Sequence, residues 1–386
     1  MDGRGVHNRG PAADKDSTLK HVIAMAAGGT GGHLFPAEAL ARELLARGHG
    51  AVIYTDARGA RYAHALEGLP HVVLPARSLA GGIGGKLAAA ATILGAAWRA
   101  RGDLRHRGAQ AMVGFGGYPS FAPALGARAC GLPLLLHEQG TRLSLANRQL
   151  LRFASGVATS FADTGGLAGL PPGRVVETGN PVRQTILDAR APYPPLSADG
   201  PLRLLVVGGS QSAAVFGRVV PPALRALPPV LRARLRLSLQ VAGDGATAIA
   251  GELADAGIDA EVRPFFEDMG TRLRDAHLVV TRAGATTIAD LLAIGRPAIF
   301  VPIPQGGSAD EQLRNARTLE RLGAGWCMPE PELDAQALAA RLDALFASAD
   351  ALPQAAARAA AAGRPDAAAR LADAVLALVA GGRRGA

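Results

Sequence analysis

Cysteine, aromatic residues and long apolar runs are all scarce in this chain. Its two cysteines, Cys130 and Cys327, stand far apart. No disulfide framework and no cysteine-based metal cluster is therefore expected, and both read as reduced thiols. Outside the polar leader there is no Asp-x-Asp pair, so neither a tightly held metal nor another cofactor is expected. Aromatic residues make up only 4% of the chain against 49% hydrophobic residues, so the core must be built from Ala, Val and Leu. The first residues contain no apolar h-region, and no signal peptide is expected. The longest apolar stretch near a basic segment, Leu87–Trp98, has twelve residues, too few to span a bilayer. Nucleic-acid motifs are absent and Arg is spread along the chain, so nucleic acid is not an expected partner.

The chain does have positive charge and glycine. Net charge is +9, carried almost entirely by Arg, which favours an anionic partner. At 386 residues the chain is long enough for two domains. Three glycine-rich turns each follow a short apolar run: Gly28–His33, Gly114–Tyr118 and Gly208–Ser212. A strand, a glycine turn and a helix together present backbone N–H groups to an anion. Two turns lie in the first half and one in the second, which points to a phosphate-bearing ligand bound between halves.

Short apolar runs alternate with longer amphipathic ones, the pattern of βαβ units and parallel sheets. Strands are expected at 21–27, 51–55, 71–74, 110–113, 133–136, 156–159 and 174–177, then at 203–207, 235–241, 260–263, 278–281, 298–301 and 325–328. Helices are expected at 36–47, 59–67, 86–101, 119–130 and 142–153, then at 213–226, 246–256, 268–274, 284–294, 309–322 and 334–347. The fold class is α/β, with two doubly wound, Rossmann-like domains facing a cleft. A disordered leader is expected at 1–17, an N-terminal domain at 18–190, a Pro-rich linker at 191–201 and a C-terminal domain at 202–363. A last helix at 364–380 would pack back on the first domain.

The first turn fails the dinucleotide fingerprint, because Leu34 stands where the last glycine is needed. Asp56 ends the second strand, where a ribose-binding acid sits in dinucleotide enzymes, which keeps an oxidoreductase in view. His33 ends the turn and can serve as a general base or simply bond to backbone. In the second half, Thr281–Asp290 combines a strand end, a small-residue turn and a helix start. There Ala285, Thr286 and Thr287 can hold a phosphate or ribose, or Thr can merely cap the helix. Gln312 opens the next helix beside Asp310 and Glu311.

The order of these motifs closely resembles the MurG family, peptidoglycan glycosyltransferases of GT-B type that add N-acetylglucosamine to lipid I. The matching segments run through residues 20–380: Gly28–Pro36, Gly116–Tyr118, His137–Gln139, Gly179–Arg183, Gly208–Gln211, Phe265–Met269, Arg282 with Gly284 and Ala285, and Gln312 with Asn315 and Ala316. The resemblance implies inverting, UDP-N-acetylglucosamine-dependent transfer to the C4 hydroxyl of the muramoyl sugar, forming lipid II. It implies that Thr30, Gly31, Gly32 and His33 lie near donor sugar and diphosphate, with His33 as base. Arg183, Ser210 and Gln211 would contact the nucleotide, and Phe266 would lie against uracil. The 285–290 turn, ending in Asp290, would hold diphosphate and ribose, and Gln312 the sugar. Gly116, Gly117, Tyr118, His137 and Glu138 fall on the acceptor side. Three positions depart from the family pattern: Gly140 for Asn, Asp290 for Glu and Ser212 for Gly.

The implied location is peripheral, on the cytoplasmic face of the plasma (inner) membrane, with cell-wall synthesis and division proteins as partners. Residues 77–107 supply a candidate anionic-membrane patch: Leu79, Ile83, Leu87, Ile93, Leu94 and Trp98, with Arg77, Lys86, Arg99, Arg101, Arg105 and Arg107. The alternatives are another GT-B UDP-sugar transferase acting on a diacylglycerol or polyprenyl acceptor, and a non-catalytic sugar-nucleotide-binding module.

Overall fold

A computed structural model describes residues 20–77, 82–208, 214–243, 245–306 and 309–382. The expected leader at 1–17, together with Leu79, Ser210, Gln211 and Ser212, lies outside the described residues. The chain forms two compact units, one of residues 1–183 with 365–386 and one of residues 184–364.

The first unit alternates β1 (Val22–Ala26), α1 (Gly31–Ala46), β2 (Gly50–Thr55), α2 (Ala63–Leu66), β3 (His71–Val73), α3 (Ile83–His106), β4 (Ala109–Gly114), α4 (Phe121–Ala129), β5 (Leu134–Glu138), α5 (Leu145–Leu150), β6 (Gly156–Thr159) and β7 (Val175–Glu177). The second unit runs α6 (Gln184–Leu187), β8 (Leu202–Val207), α7 (Ala214–Arg225), α8 (Pro229–Arg234), β9 (Leu235–Gln240), α9 (Ala246–Asp255), β10 (Asp259–Arg263), α10 (Met269–Asp275), β11 (Leu278–Thr281), α11 (Ala285–Ile294), β12 (Ala298–Phe300), α12 (Ala309–Arg321), β13 (Gly325–Cys327), α13 (Ala335–Ala347) and α14 (Ala351–Ala362). The chain ends in α15 (Ala367–Gly382).

Every pairing within the two sheets is parallel. The first sheet has the order β3-β2-β1-β4-β5-β6-β7 and the second β10-β9-β8-β11-β12-β13. In both, the order reverses beside the first strand of the unit. Ligands of open α/β sheets bind beyond the strand ends at such a reversal. The turns after β1 and β4 flank it in the first unit, and the turn after β11 lies beside it in the second.

Parallel strands are buried on both faces, which is why they read as unbroken apolar runs. Along β1, Ile23 and Met25 point into a core with Leu34, Leu40 and Leu44 of α1. Ala24 and Ala26 face the other way, toward Ala96, Ala100 and Leu104 of α3. Leu371, Val375 and Val379 of α15 complete the first of these cores. Arg47, at the end of α1, bonds both Asp373 and the Ala369 carbonyl (3.2 Å for the latter).

Three features differ from the sequence-based expectation. The units divide between Arg183 and Gln184, ahead of the Pro-rich segment. That segment is no free linker: Arg296 donates to the carbonyls of Ala191 and Pro192 at 3.2 and 3.1 Å, and Tyr193 Oη donates to the His277 carbonyl at 2.9 Å. Tyr193 also packs on the second unit's core. Second, α1 begins at Gly31, so His33 lies within its first turn rather than ahead of the helix. The poor helix propensity of two glycines and Pro36 hides this start. Third, α14 and the short α6 and α8 lie outside the expected helices.

Candidate functional site

In the first unit, one carboxylate builds the glycine turn. Asp56, at the end of β2, accepts the N–H groups of Gly29 and Gly59 on Oδ1, both at 2.9 Å. Its Oδ2 accepts Arg58 Nε at 2.9 Å. Burial works against the charge, but Gly59, Arg58 and Gly29 together hold the Asp56 carboxyl below its usual range. Both oxygens are thus committed to the protein. Asp56 is not the ribose acid of a dinucleotide enzyme, and that alternative loses its main support.

Gly29 has φ +85°, a left-handed conformation that glycine adopts without strain. A Cβ there would lie 3.1 Å from Arg58 Nη2, so the Arg58 guanidinium sits against the turn. Arg58 was missed at the sequence level; the signal was an Asp-x-Arg-Gly run directly after a strand. Thr30 caps α1 in extended conformation without a side-chain hydrogen bond, and the first turn holds no acid. A positive helix end flanked by an arginine favours an anion.

His33 is half-buried in that first turn. Its Nδ1 is buried and makes no hydrogen bond of good geometry. Burial pushes the imidazole below its ordinary 6.5, opposed by the Gln139 side chain and the Phe115 carbonyl beside it. The ring is accordingly neutral at neutral pH, the form a general base needs. Gly117, at φ +74°, leaves room for it: a Cβ there would stand 3.4 Å from His33 Nε2. The turn after β4 is fixed by Ser120 Oγ, whose single proton is shared between the carbonyls of Ala26 (2.8 Å) and Gly116 (2.6 Å). Tyr118, beside Gly116 and Gly117, is exposed.

His137 and Glu138 lie deeper than their acceptor-side assignment implies, at 0% and 2% exposed. His137 Nε2 lies 3.0 Å from the Gly179 carbonyl and must carry the proton there, since a carbonyl only accepts. Burial lowers its pKa to about 4. Glu138 accepts the N–H of Gly140 (3.1 Å), the N–H of Ser144 (2.8 Å) and Asn147 Nδ2 (2.8 Å). Burial raises its pKa, opposed by these donors. Gln139 Nε2 donates to the Phe115 carbonyl at 2.9 Å. The His-Glu-Gln run therefore holds the turns around His33 in place instead of facing a substrate. Arg183 stacks its guanidinium 4.4 Å from the Phe35 ring of α1.

In the second unit, α11 starts at Ala285 after an extended Gly284, with no side-chain cap and no acid in its first turn. Ala285, Thr286 and Thr287 are half-buried around this start, and Asp290 is buried one turn on. Gln312 Oε1 accepts the Ile303 N–H at 3.2 Å, orienting its carboxamide from α12. Asn315 Nδ2 donates to the Ala283 carbonyl at 3.2 Å and supports the turn before α11.

Phe266 is not available to stack on a base. It is 2% exposed, and Arg272 covers its ring with the guanidinium carbon 4.0 Å from the centroid. Its neighbour Phe265 is 63% exposed and is the aromatic that this loop presents. No cluster of metal-ligating side chains occurs among the described residues.

Two doubly wound, parallel-sheet units, each with its own strand-order reversal, make a GT-B fold. The chain matches the glycosyltransferase family 28 N-terminal domain over residues 23–159 and the glycosyltransferase family 28 C-terminal domain over residues 203–371. It belongs to glycosyltransferase family 28. Among its relatives, the UDP-N-acetylglucosamine–N-acetylmuramyl-(pentapeptide) pyrophosphoryl-undecaprenol N-acetylglucosamine transferase of Rhodospirillum centenum is 46% identical over 355 residues, covering 92% of this chain and 93% of that one. The protein of the same name from Paramagnetospirillum magneticum is 45% identical over 368 residues, covering 94% and 98%. The crystal structure of MurG from Acinetobacter baumannii superposes with a TM-score of 0.75 at 32% identity, covering 92% of this chain and 99% of that one.

Proposed function

We propose that this glycosyltransferase moves N-acetylglucosamine from UDP-N-acetylglucosamine to N-acetylmuramyl-(pentapeptide) pyrophosphoryl-undecaprenol, converting lipid I to lipid II. The observation that carries the reading is the end-to-end match to relatives bearing that name, which spans both units. The site chemistry supports it. The C4 hydroxyl of the muramoyl sugar attacks the donor's anomeric carbon as the bond to the diphosphate breaks. The hydroxyl proton passes to the neutral His33 imidazole, and UDP leaves with the bonding electron pair. Configuration inverts, giving a β1→4 link through a transition state of oxocarbenium character. The uncapped start of α11, with Thr286 and Thr287, offers backbone dipoles to the charge growing on the diphosphate. Asp290 and Gln312 serve ribose and sugar, Arg183 the nucleotide, and Tyr118 with Gly116 and Gly117 the acceptor. Phe265 takes the uracil contact first expected of Phe266.

The acceptor is a membrane lipid, and α3 supports a peripheral attachment. Leu87, Leu94 and Trp98 are 68%, 65% and 71% exposed. Spacings of seven and four residues put them on one helical stripe. Lys86, Arg99 and Arg105 are exposed around it, and Arg101 lies 4.9 Å from the Trp98 ring. Ile93 turns inward and packs on the core, so it leaves the expected patch. Among the described residues no helix is long and apolar enough to cross a membrane. An apolar stripe ringed by cations suits the cytoplasmic surface of a bilayer rich in anionic headgroups.

The test is release of UDP from UDP-N-acetylglucosamine with and without a soluble lipid I analogue. Release that requires the analogue is expected. Equal release without it, or release requiring a diacylglycerol instead, would overturn the assignment of acceptor.

A further inference from the structure

In the second sheet, where β8, β11, β12 and β13 are adjacent, the guanidinium of Arg282 meets segments that follow β12 and β13 and the first turn of α7. Arg282 directly follows β11 and precedes the Gly284–Thr287 turn. Its Nη1 donates to the carbonyls of Val301 (3.2 Å) and Pro302 (3.3 Å), where the chain leaves β12. Its Nη2 lies 2.5 Å from Glu330 Oε2, just beyond β13. Its guanidinium carbon lies 5.4 Å from the centroid of the Phe216 ring, in the first turn of α7 after β8. The side chain is only 13% exposed, and Glu330 22%.

We infer that Arg282 is a positioning residue for donor binding: it holds the start of α11 and the loop after β12 in one fixed arrangement. This rests on the proposed function, in which the start of α11 and Gln312, which that loop orients, contact the donor. The loop after β12 contains Ile303, whose N–H orients Gln312, while the turn after Arg282 presents Ala285, Thr286 and Thr287. A planar fork with a fixed charge can donate to two carbonyls and pair with a carboxylate at once, whereas a lysine ammonium cannot reproduce that geometry. The Phe216 face supports the same plane. A charge set among apolar strand ends would be costly without these partners, and here it is matched by Glu330. Arg282 itself need not touch the donor, because its bonding groups are turned toward the protein.

The experiment measures steady-state kinetics of Arg282→Ala, Arg282→Lys and Glu330→Gln with the lipid I analogue, varying each substrate in turn, alongside a thermal melt. Arg282→Ala should raise KM for UDP-N-acetylglucosamine at least tenfold and lower kcat, with KM for the acceptor within a factor of two. Arg282→Lys should recover only part of this. Millimolar guanidinium should restore activity to Arg282→Ala and leave the wild type unchanged. Glu330→Gln should raise donor KM about threefold to tenfold without loss of folding, and it keeps the test open if Arg282→Ala does not fold. Donor KM within a factor of two of wild type in Arg282→Lys and Glu330→Gln would overturn the inference, as would equal rises in both KM values. A wild-type enzyme that fails to turn over UDP-N-acetylglucosamine would instead contradict the proposed function.

Discussion

Removing the Asp56 carboxylate should loosen the first glycine turn by an amount that follows from its bonds. Gly59 N–H is buried, and leaving it without an acceptor costs about 1–3 kcal/mol. The bond from Gly29 to a charged acceptor contributes about 1.5–3 kcal/mol. Arg58 is 60% exposed on its side chain, so its pair with Asp56 adds only about 0–1 kcal/mol. Asp56→Ala should therefore cost about 3–5 kcal/mol locally, allowing for incomplete additivity. Asp56→Asn is the control. Both glycine amides bond the same oxygen, Oδ1, which an asparagine retains, so only the charge and the Arg58 contact are lost. It should cost about 1–2 kcal/mol. Native-state hydrogen exchange of peptides containing Gly29 and Gly59 reads the local opening free energy directly. Because the turn leads into His33, turnover should fall in the same order. Equal exchange in Asp56→Ala and wild type, or identical effects of Ala and Asn, would refute this account of the turn.

Four further outcomes follow from the site and from α3. His33→Ala should lower kcat by about 10²-fold or more, the range for a positioned base, with donor affinity changed far less; turnover within a factor of three would make His33 structural. The acid limb of the wild-type pH–rate profile should have its midpoint below 6.5, since burial lowers the His33 pKa and the neutral form is the active one; a midpoint above 6.5 would exclude His33 as its source. His137, at about 4 when folded and 6.5 when free, binds fewer protons in the native state between those values, so stability should fall as pH drops from 6.5 to 4. The full loss is about 3 kcal/mol by linkage, measurable as the change in denaturation midpoint that His137→Gln abolishes. Binding to anionic liposomes should weaken with salt and on Arg99→Glu with Arg105→Glu, by sedimentation; equal binding to neutral liposomes would sink the electrostatic role of α3.

Much of this architecture is legible in the sequence because parallel strands are buried on both faces and announce themselves as short apolar runs. Thus β11 (Leu278–Thr281) lies where the run at 278–281 indicates, and the glycine turns after β1 and β4 follow the strands that flank the first sheet's strand-order reversal. What escaped depends on contacts between residues distant in sequence. Asp56 serves either a ribose or the protein's own backbone, and only the position of Gly29 and Gly59 decides. Phe265 and Phe266 are adjacent in a loop with no periodicity, and Arg272 from the following helix selects which one is covered. The Pro-rich segment reads as a linker by composition, yet Arg296, a hundred or so residues away, fastens it to the second unit. Arg282 is a lone charge after an apolar strand, and its role needs the carbonyls beyond β12 and the carboxylate beyond β13 to be in view.

The most direct measurement is the fate of the sugar itself. With UDP-N-acetylglucosamine labelled in the sugar and lipid I in mixed micelles, label should enter the organic-extractable lipid in step with UDP release. The new linkage should show the large anomeric proton coupling of a β-glycoside, and His33→Ala should suppress both signals. Label appearing as free N-acetylglucosamine, or an α-linked product, would contradict inverting transfer to lipid I.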